Sequence, residues 1–210
     1  MLLALLMCQC SFQTTQNTSD NKSPRDLYPE RFTDSYISEK AMKLIDFVPD
    51  HGFDPSIKVA FTDKYYSLLE EAWAVPVYDI GVIGDDEWLY YFMTGNGDCD
   101  CSSHPKTILE LMVMDDHNAW VKMNYIHRDH NLVLHFEDGD WKIDNFDGTL
   151  DELENYIRDE RKQLRIIDWP TYIKAQVDDL KGYMTEKEAT DALNEFKSRV
   201  DAYFEKYPDR

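Results

Sequence analysis

Alternation of apolar and polar residues between positions 107 and 147 constrains the fold of this chain more than any other feature. Three or four apolar runs in this region are separated by short polar breaks at 115–118, 127–130 and 137–140. The last break contains an Asp-Gly pair, and breaks of this length and composition are typical of β-hairpins. The region is therefore predicted to be an antiparallel meander.

The side chains of this meander divide between an apolar face and a mixed face, because successive residues of a strand point to opposite sides. One side of the sheet is therefore predicted to pack on a core. The predicted apolar face carries Ala119, Val121, Met123, Tyr125, Leu132, Leu134, Phe136, Trp141 and Ile143. The predicted mixed face carries Trp120, Lys122, Asn124, Ile126, Val133, His135, Glu137, Lys142 and Asp144.

Two helices are predicted before the meander. The first begins at Asp34 or Ser35 and ends at Pro49, and the second has Asp54 as its cap and Pro55 as its first residue. Their apolar stripes are Ile37, Ala41, Leu44 and Val48 in the first, and Ile57, Phe61, Tyr65, Leu68 and Ala72 in the second, which runs to Trp73 before Pro76. The aromatic stretch 84–98 fits either a helix or a strand.

Three more helices are predicted after the meander. Thr149 and Glu152 indicate a capping box for the first, Asp168 opens the second, and Thr185 with Glu188 begins the third. The first helix has a shared apolar face of Leu150, Leu153, Ile157, Leu164 and Ile167.

These elements indicate one α+β domain at 32–167. Residues 168–210 are expected to be a helical C-terminal extension of the same domain. The polar stretch 11–31 contains two prolines and is predicted to be a disordered linker.

The composition excludes some classes of partner. The chain has 22 Lys and Arg residues against 41 Asp and Glu residues, for a formal charge of −19 over 210 residues. Such a surface repels phosphate backbones and anionic lipid headgroups, so no binding to nucleic acid is expected.

The N-terminus suggests a secretory signal. Residues 1–7 are wholly apolar, too few to span a bilayer, and lead into Cys8-Gln9-Cys10 and the polar stretch that follows. A cysteine after such a run resembles a bacterial lipoprotein signal, although Met7 and Gln9 stand where that signal has a small residue. We expect lipid attachment at Cys8 or Cys10, a location in the cell envelope, and membrane contact only through this anchor.

The stretch 144–152 resembles two known motifs without completing either. Aligned with the first motif of haloacid-dehalogenase phosphatases, it places Asn145 where the nucleophilic aspartate stands, and an amide cannot attack phosphorus. Aligned with an EF-hand loop, it places Ile143 at the first ligand position. The simpler interpretation is that Asp147-Gly148 ends the last strand and Thr149 caps the next helix.

Histidines at 127, 130 and 135 could in principle hold a metal, but they are assigned to a hairpin, where most histidines are solvated. The sequence His127-Arg128-Asp129 lacks the asparagine and the glycine-rich partner of a kinase catalytic loop. No metal and no cofactor are predicted.

Two further cysteines, Cys99 and Cys101, lie in a polar loop. Outside the cytosol they could form a disulfide, and in the cytosol half of a metal site. We favour a disulfide that staples the loop over a redox role.

The succession of helices, EWLYYFMTGNGD, AWVKMNY, LVLHFEDGDWKIDNFDG and a following helix resembles the NTF2-like superfamily over residues 55–165. More narrowly, it resembles a group of NTF2-like lipoproteins of gut-type Bacteroidetes. The most specific part is the ending Gly139, Trp141, Ile143, Asp144 and Phe146. The resemblance implies a curved antiparallel sheet packed on helices, forming a cone with a pocket, and it also allows a homodimer through the open sheet face.

The fold does not choose a function by itself. We favour a non-enzymatic envelope lipoprotein that binds a small apolar or aromatic ligand or a protein partner. The alternatives are a small lyase, isomerase or hydrolytic enzyme that uses pocket acids, and a periplasmic immunity protein. The candidate pocket residues are Tyr66, Trp73, Tyr91 and Trp120.

Overall fold

The computed structural model describes residues 22–51, 55–76, 105–125 and 128–208. They form an α+β structure in which a curved, four-stranded antiparallel sheet packs on helices, which confirms the predicted fold class at that level. The helices are α1 (Pro24–Leu27), α2 (Asp34–His51), α3 (Asp63–Ala74), α4 (Thr149–Arg165), α5 (Trp169–Leu180) and α6 (Glu186–Lys206). The strands are β1 (Thr107–Val113), β2 (Asn118–Tyr125), β3 (Arg128–Glu137) and β4 (Asp140–Phe146), and two 3-10 turns cover Pro29–Phe32 and Pro55–Ala60.

The strands are neighbours in the order of the chain, as predicted for a meander. The β1–β2 turn is shaped by Asp115, whose carboxylate accepts the backbone N–H groups of His117 and Asn118 at 2.7 and 2.8 Å. The β3–β4 turn consists of Asp138 and Gly139, which both have positive φ angles, +54° and +82°. Two such residues match the right-handed twist of a two-residue hairpin.

The predicted division of the sheet into two faces is confirmed. The apolar-face residues are at most 5% exposed and pack against α2, α3 and α4 in the main core. This face comprises Ala119, Val121, Met123, Tyr125, Leu132, Leu134, Phe136, Trp141, Ile143 and Phe146.

Ordered structure begins before residue 32, so the linker prediction is wrong for its last part. The Ser23 side chain caps α1 in a capping box with Asp26. The backbone carbonyl of Arg31 accepts the indole N–H of Trp141 at 2.7 Å, and the Arg31 guanidinium donates to the carbonyl of Gly139. These contacts hold residues 24–32 against the β3–β4 hairpin, a long-range effect that the polar composition does not reveal.

Helix α2 has the predicted buried stripe of Ile37, Ala41, Leu44 and Val48, but it continues to His51 instead of ending at Pro49. Pro49 has no N–H to donate to the carbonyl four residues earlier. Only two helical residues follow it, so the helix loses one hydrogen bond of its last turn and is not broken.

The second predicted helix is divided in two. Pro55–Ala60 is a 3-10 turn, Phe61 forms a parallel bridge with Ile143, and α3 begins at Asp63. The backbone N–H of Thr62 donates to the Ile143 carbonyl at 2.9 Å, and the Thr62 hydroxyl accepts the N–H of Tyr65 at 3.2 Å. Pairing with β4 therefore interrupts a stripe that has helical spacing throughout.

Helix α4 begins without the predicted capping box. Its N-cap is Gly148, and Thr149 is the first helical residue. The Thr149 hydroxyl is instead buried 2.5 Å from the Tyr65 hydroxyl, and burial raises the pKa of Tyr65 to about 12. Thr149 thus joins α4 to α3.

The two C-terminal helices form as predicted, and the capping box of Thr185 and Glu188 is present. They bury two small clusters of their own beside the main core. The clusters contain Val75, Leu164, Phe196, Val200 and Tyr203 in one case, and Val177, Leu180, Ala189 and Leu193 in the other. Among the described residues, no helix is long and apolar enough to cross a membrane.

Candidate functional site

The end of the sheet at which β3 begins contains a buried histidine–carboxylate pair. His130 is fully buried, and its Nδ1 lies 2.6 Å from Oδ2 of Asp147. Its ring stacks on Phe146 with the ring centroids 5.1 Å apart. On the other side of the ring, Nε of Arg128 donates to Nε2 of His130 at 3.3 Å.

Backbone geometry fixes the carboxylate of this pair. Asp147 and Gly148 both have positive φ angles, +50° and +83°, and aspartate is among the few residues that adopt this conformation readily. The Asp147 N–H donates to the carbonyl of Asn131 at 2.8 Å, and Oδ1 of Asp147 accepts the N–H of Asn131 at 2.6 Å. The turn after β4 is therefore fastened to the start of β3.

The hydrogen-bond geometry fits the imidazole tautomer that donates from Nδ1 to Asp147, because Nε of Arg128 points at Nε2 of His130. Burial opposes ionisation of Asp147, but hydrogen bonds from His130 and the Asn131 amide outweigh it, so the pKa of this carboxyl lies below its ordinary value. Both ring nitrogens of His130 thus have partners in the fold, and its side chain is fully buried.

A second buried carboxylate is used for helix packing. Glu71 in α3 is 4% exposed, and its Oε1 accepts Nη1 of Arg161 in α4 at 2.6 Å and the Tyr203 hydroxyl of α6 at 3.3 Å. Nη2 of Arg161 donates to the carbonyl of Tyr207 at 2.8 Å. Burial and the Glu71 charge raise the pKa of Tyr203 to about 12. This cluster ties three helices together and presents no free acid.

A third buried charge is paired in the same way. The Lys106 side chain, 7% exposed, forms an ion pair with Asp46 in α2. Its Nζ also lies 4.8 Å from the ring centroid of Tyr125. The buried charge of Lys106 is thus compensated by Asp46.

The sheet face that is turned away from the helices carries apolar side chains that lie outside the main core. Met112, Trp120 and Val133 are in register across β1, β2 and β3, with Asn145 next to them in β4. Within the part of the chain that the structure describes, none of the three apolar residues belongs to a core cluster; Met112 is 53% exposed, and Trp120 and Val133 are half-buried. We call this set of three residues the open-face row. Leu109 and Met114, 49% and 47% exposed, extend the apolar surface along β1.

Of the three candidate pocket residues that the structure describes, it brings two together. Tyr66 and Trp73 lie on one face of α3, with their rings edge to face and the centroids 6.4 Å apart. Trp120 lies on the opposite side of the sheet, so it does not line a common pocket with them. Tyr91 lies outside the described residues, as do Cys8, Cys10, Cys99 and Cys101.

The histidines lie differently from the sequence prediction. The sequence predicts a solvated hairpin position for His130, whereas the residue lies within β3 and is buried because its side chain faces the core. His135 lies on the open face, where its Nδ1 is 2.8 Å from Oδ1 of Asn118, and His127 is not among the described residues. Within residues 22–51, 55–76, 105–125 and 128–208, no group of three or more His, Cys, Asp or Glu residues could hold a metal.

Sequence reasoning missed the pair of His130 and Asp147. The available signal was alternation: His130 is two residues before Leu132 and therefore on the same face as the apolar side chains. A histidine at such a position needs a buried partner. The partner is 17 residues away, and only the antiparallel pairing of β3 with β4 brings it close.

The described residues thus define an α+β fold with paired buried charges and one partly apolar sheet face that is turned away from the core. Comparison with protein-family models, curated proteins and solved structures finds no match for this chain.

Proposed function

We propose that this chain is a non-enzymatic binding protein that engages its partner through the open-face row. One observation carries the proposal: Met112, Trp120 and Val133 form a continuous apolar strip across three strands, and among the described residues no core cluster includes them. Met112 is exposed, and Trp120 and Val133 are half-buried. An apolar surface patch outside the core commonly marks an interaction site. Tryptophan and methionine are also enriched at protein interfaces.

The catalytic alternative has weaker support. An enzyme that uses pocket acids needs a carboxylate or imidazole that can reach a substrate, within hydrogen-bonding distance or through one water molecule. His130 is hydrogen-bonded to Asp147 and Arg128 through its two ring nitrogens, and Glu71 forms an ion pair with Arg161. Both of these buried groups serve the packing of the fold.

We further propose an NTF2-like domain held at the cell envelope. A curved antiparallel sheet with helices on one face is the arrangement which that resemblance implies. The proposed lipid anchor at Cys8 or Cys10 rests on the apolar run before these residues. Labelling with a palmitate analogue in a bacterial host tests the anchor by comparing each Cys→Ala variant with the parent chain. We expect one of the two variants to lose the label. An unlabelled parent chain would exclude the anchor.

Photo-crosslinking tests the binding surface. A benzoylphenylalanine at position 112 of the full chain, expressed in its native host, is expected to give a discrete crosslinked product that is lost when Trp120→Ala is added. The matched control places the same residue at Asn194, an exposed position on α6. The proposal fails if positions 112 and 194 give the same products, or if position 112 gives none.

A further inference from the structure

The open-face row is bordered by ion pairs on both sides. On one side, Lys122 lies opposite Glu110 in the strand register, and its Nζ is 3.1 Å from Oδ2 of Asp129. The hydrogen bonds from Asn124 and Lys122 lower the pKa of Asp129, so its carboxylate is ionised at neutral pH. This border therefore has one lysine between two carboxylates.

The other border repeats the pattern at the β3–β4 hairpin. Nζ of Lys142 lies 2.5 Å from Oδ2 of Asp138 and 3.5 Å from Oε2 of Glu137. Its side chain is 13% exposed, so this lysine is held within the fold by the two carboxylates. The ion pair with Lys142 lowers the pKa of Asp138.

Taken together, the two borders have two lysines against four carboxylates, a surplus of two negative charges around an apolar strip. The two lysines already have partners in the chain, whereas the carboxylates have oxygens left to accept further hydrogen bonds. The net charge of −19 on the whole chain strengthens the negative electrostatic field around this surface. Such a field attracts cationic partners over long distances and repels anionic ones.

We infer that the open-face row binds a protein segment in which lysine or arginine side chains flank an apolar anchor. The inference rests on the proposed function and adds the chemistry of the partner. The apolar anchor contacts Trp120 and Met112, and the basic side chains pair with the carboxylates of the two borders. A basic partner gains both apolar burial and charge complementarity. An acidic partner would be repelled by the border carboxylates and would gain only the apolar burial.

A designed pair of peptides provides the probe. One is an amphipathic peptide of leucine and lysine, about 14 residues long and so about four helical turns. The other has the same leucines with glutamate in place of every lysine. Binding of each labelled peptide to the full chain is measured by fluorescence anisotropy at about 50 and 200 mM salt, since screening weakens charge pairing.

Variants separate this surface from the general charge of the chain. The double variant Glu110→Gln, Asp129→Asn removes two border charges, and its matched control, Glu195→Gln with Glu205→Gln, removes two exposed charges from α6. The lysine peptide is expected to bind at least about tenfold more tightly than the glutamate peptide. The border variant should weaken that binding by about threefold or more with the control near wild type, and Trp120→Ala should weaken it by about tenfold.

Each other outcome overturns the inference in a recognisable way. Equal weakening by the border and control variants means that the peptide responds only to net charge. Binding of the glutamate peptide that Trp120→Ala abolishes leaves the proposed function standing and removes the basic partner. If neither peptide binds but position 112 gives a specific crosslink, the proposed function again stands and the basic partner is excluded. If neither peptide binds and position 112 gives no crosslink, the proposed function fails too. Trp120-dependent binding to vesicles of anionic phospholipid would assign the surface to a membrane.

Discussion

At the scale of single residues, Trp141 joins the sheet to the N-terminal segment. Its side chain is fully buried, its ring meets Phe32 and Phe136 edge to face at 5.0 and 5.3 Å, and its indole N–H donates to the Arg31 carbonyl. Trp141→Ala is expected to lower the free energy of unfolding by about 3–5 kcal/mol.

Trp141→Phe separates the two contributions. It keeps an aromatic ring but leaves the Arg31 carbonyl without its donor, a loss of about 1–2 kcal/mol expected for the hydrogen bond, with a smaller packing loss. Urea titration of both variants measures this. A loss below about 1 kcal/mol for Trp141→Ala would contradict the core assignment.

Asp147 gives a prediction about pH. Its pKa in the folded protein lies below the ordinary value of 3.8, so ionisation of this carboxyl favours the folded state. The stabilisation is complete above that ordinary value and is lost as the pH falls through the lower, folded-state pKa. Asp147→Asn is therefore expected to lower the free energy of unfolding at neutral pH by about 1–2 kcal/mol, and to make its decline in acid shallower.

Urea titrations between neutral and acidic pH check this prediction. Asp151→Asn is the matched control, since it removes the same charge at an exposed position of α4. If both variants follow the wild-type pH profile with the same offset, the contact between Asp147 and His130 has no special effect on stability.

At the scale of elements, Thr62 is the residue that starts α3. Its hydroxyl accepts the N–H of Tyr65 and donates to Oδ1 of Asp144 at 2.9 Å, so one side chain caps the helix and fastens it to β4. Thr62→Ala is expected to cost about 1–2 kcal/mol of unfolding free energy.

The control for this cap is Ser67→Ala, which removes a hydroxyl that donates to the Asp63 carbonyl within α3. A change within about 0.5 kcal/mol is expected there. Equal losses in the two variants would show that Thr62 acts as an ordinary helix residue, without a role as a cap.

At the scale of the whole molecule, the ion pair of Glu71 and Arg161 couples the C-terminal helices to the rest of the fold. Glu71→Gln removes the carboxylate that pairs with the buried guanidinium of Arg161, and a loss of about 3–5 kcal/mol is expected. The double variant Glu71→Leu, Arg161→Met removes both charges and should be less destabilised than the sum of its two single variants.

Urea titration of this double-mutant cycle gives the coupling energy, and limited proteolysis reports on the C-terminal helices. Cleavage in α5 or α6 is expected to increase first in Glu71→Gln, because Tyr203 and Tyr207 of this cluster belong to the C-terminal end of the chain. Additive losses with unchanged proteolysis would show that the apolar clusters alone hold these helices.

The sequence by itself determined the features that depend on neighbouring residues. The two faces of the sheet follow from a period of two, and the start of α6 follows from Thr185 and Glu188, three positions apart. The Asp138-Gly139 turn is likewise a local property, because its backbone conformation suits these two residue types.

Only the tertiary structure decided the features that depend on distant residues. The break at Phe61 comes from pairing with Ile143, and the role of Thr149 comes from Tyr65, 84 positions away. The burial of His130 against Asp147 and the separation of Trp120 from Tyr66 and Trp73 arise in the same way. Local spacing predicts which side of an element a residue occupies, whereas the partner on that side is set by how the sheet and helices pack. The paired buried charges and the apolar row on the open face are therefore properties of the folded chain.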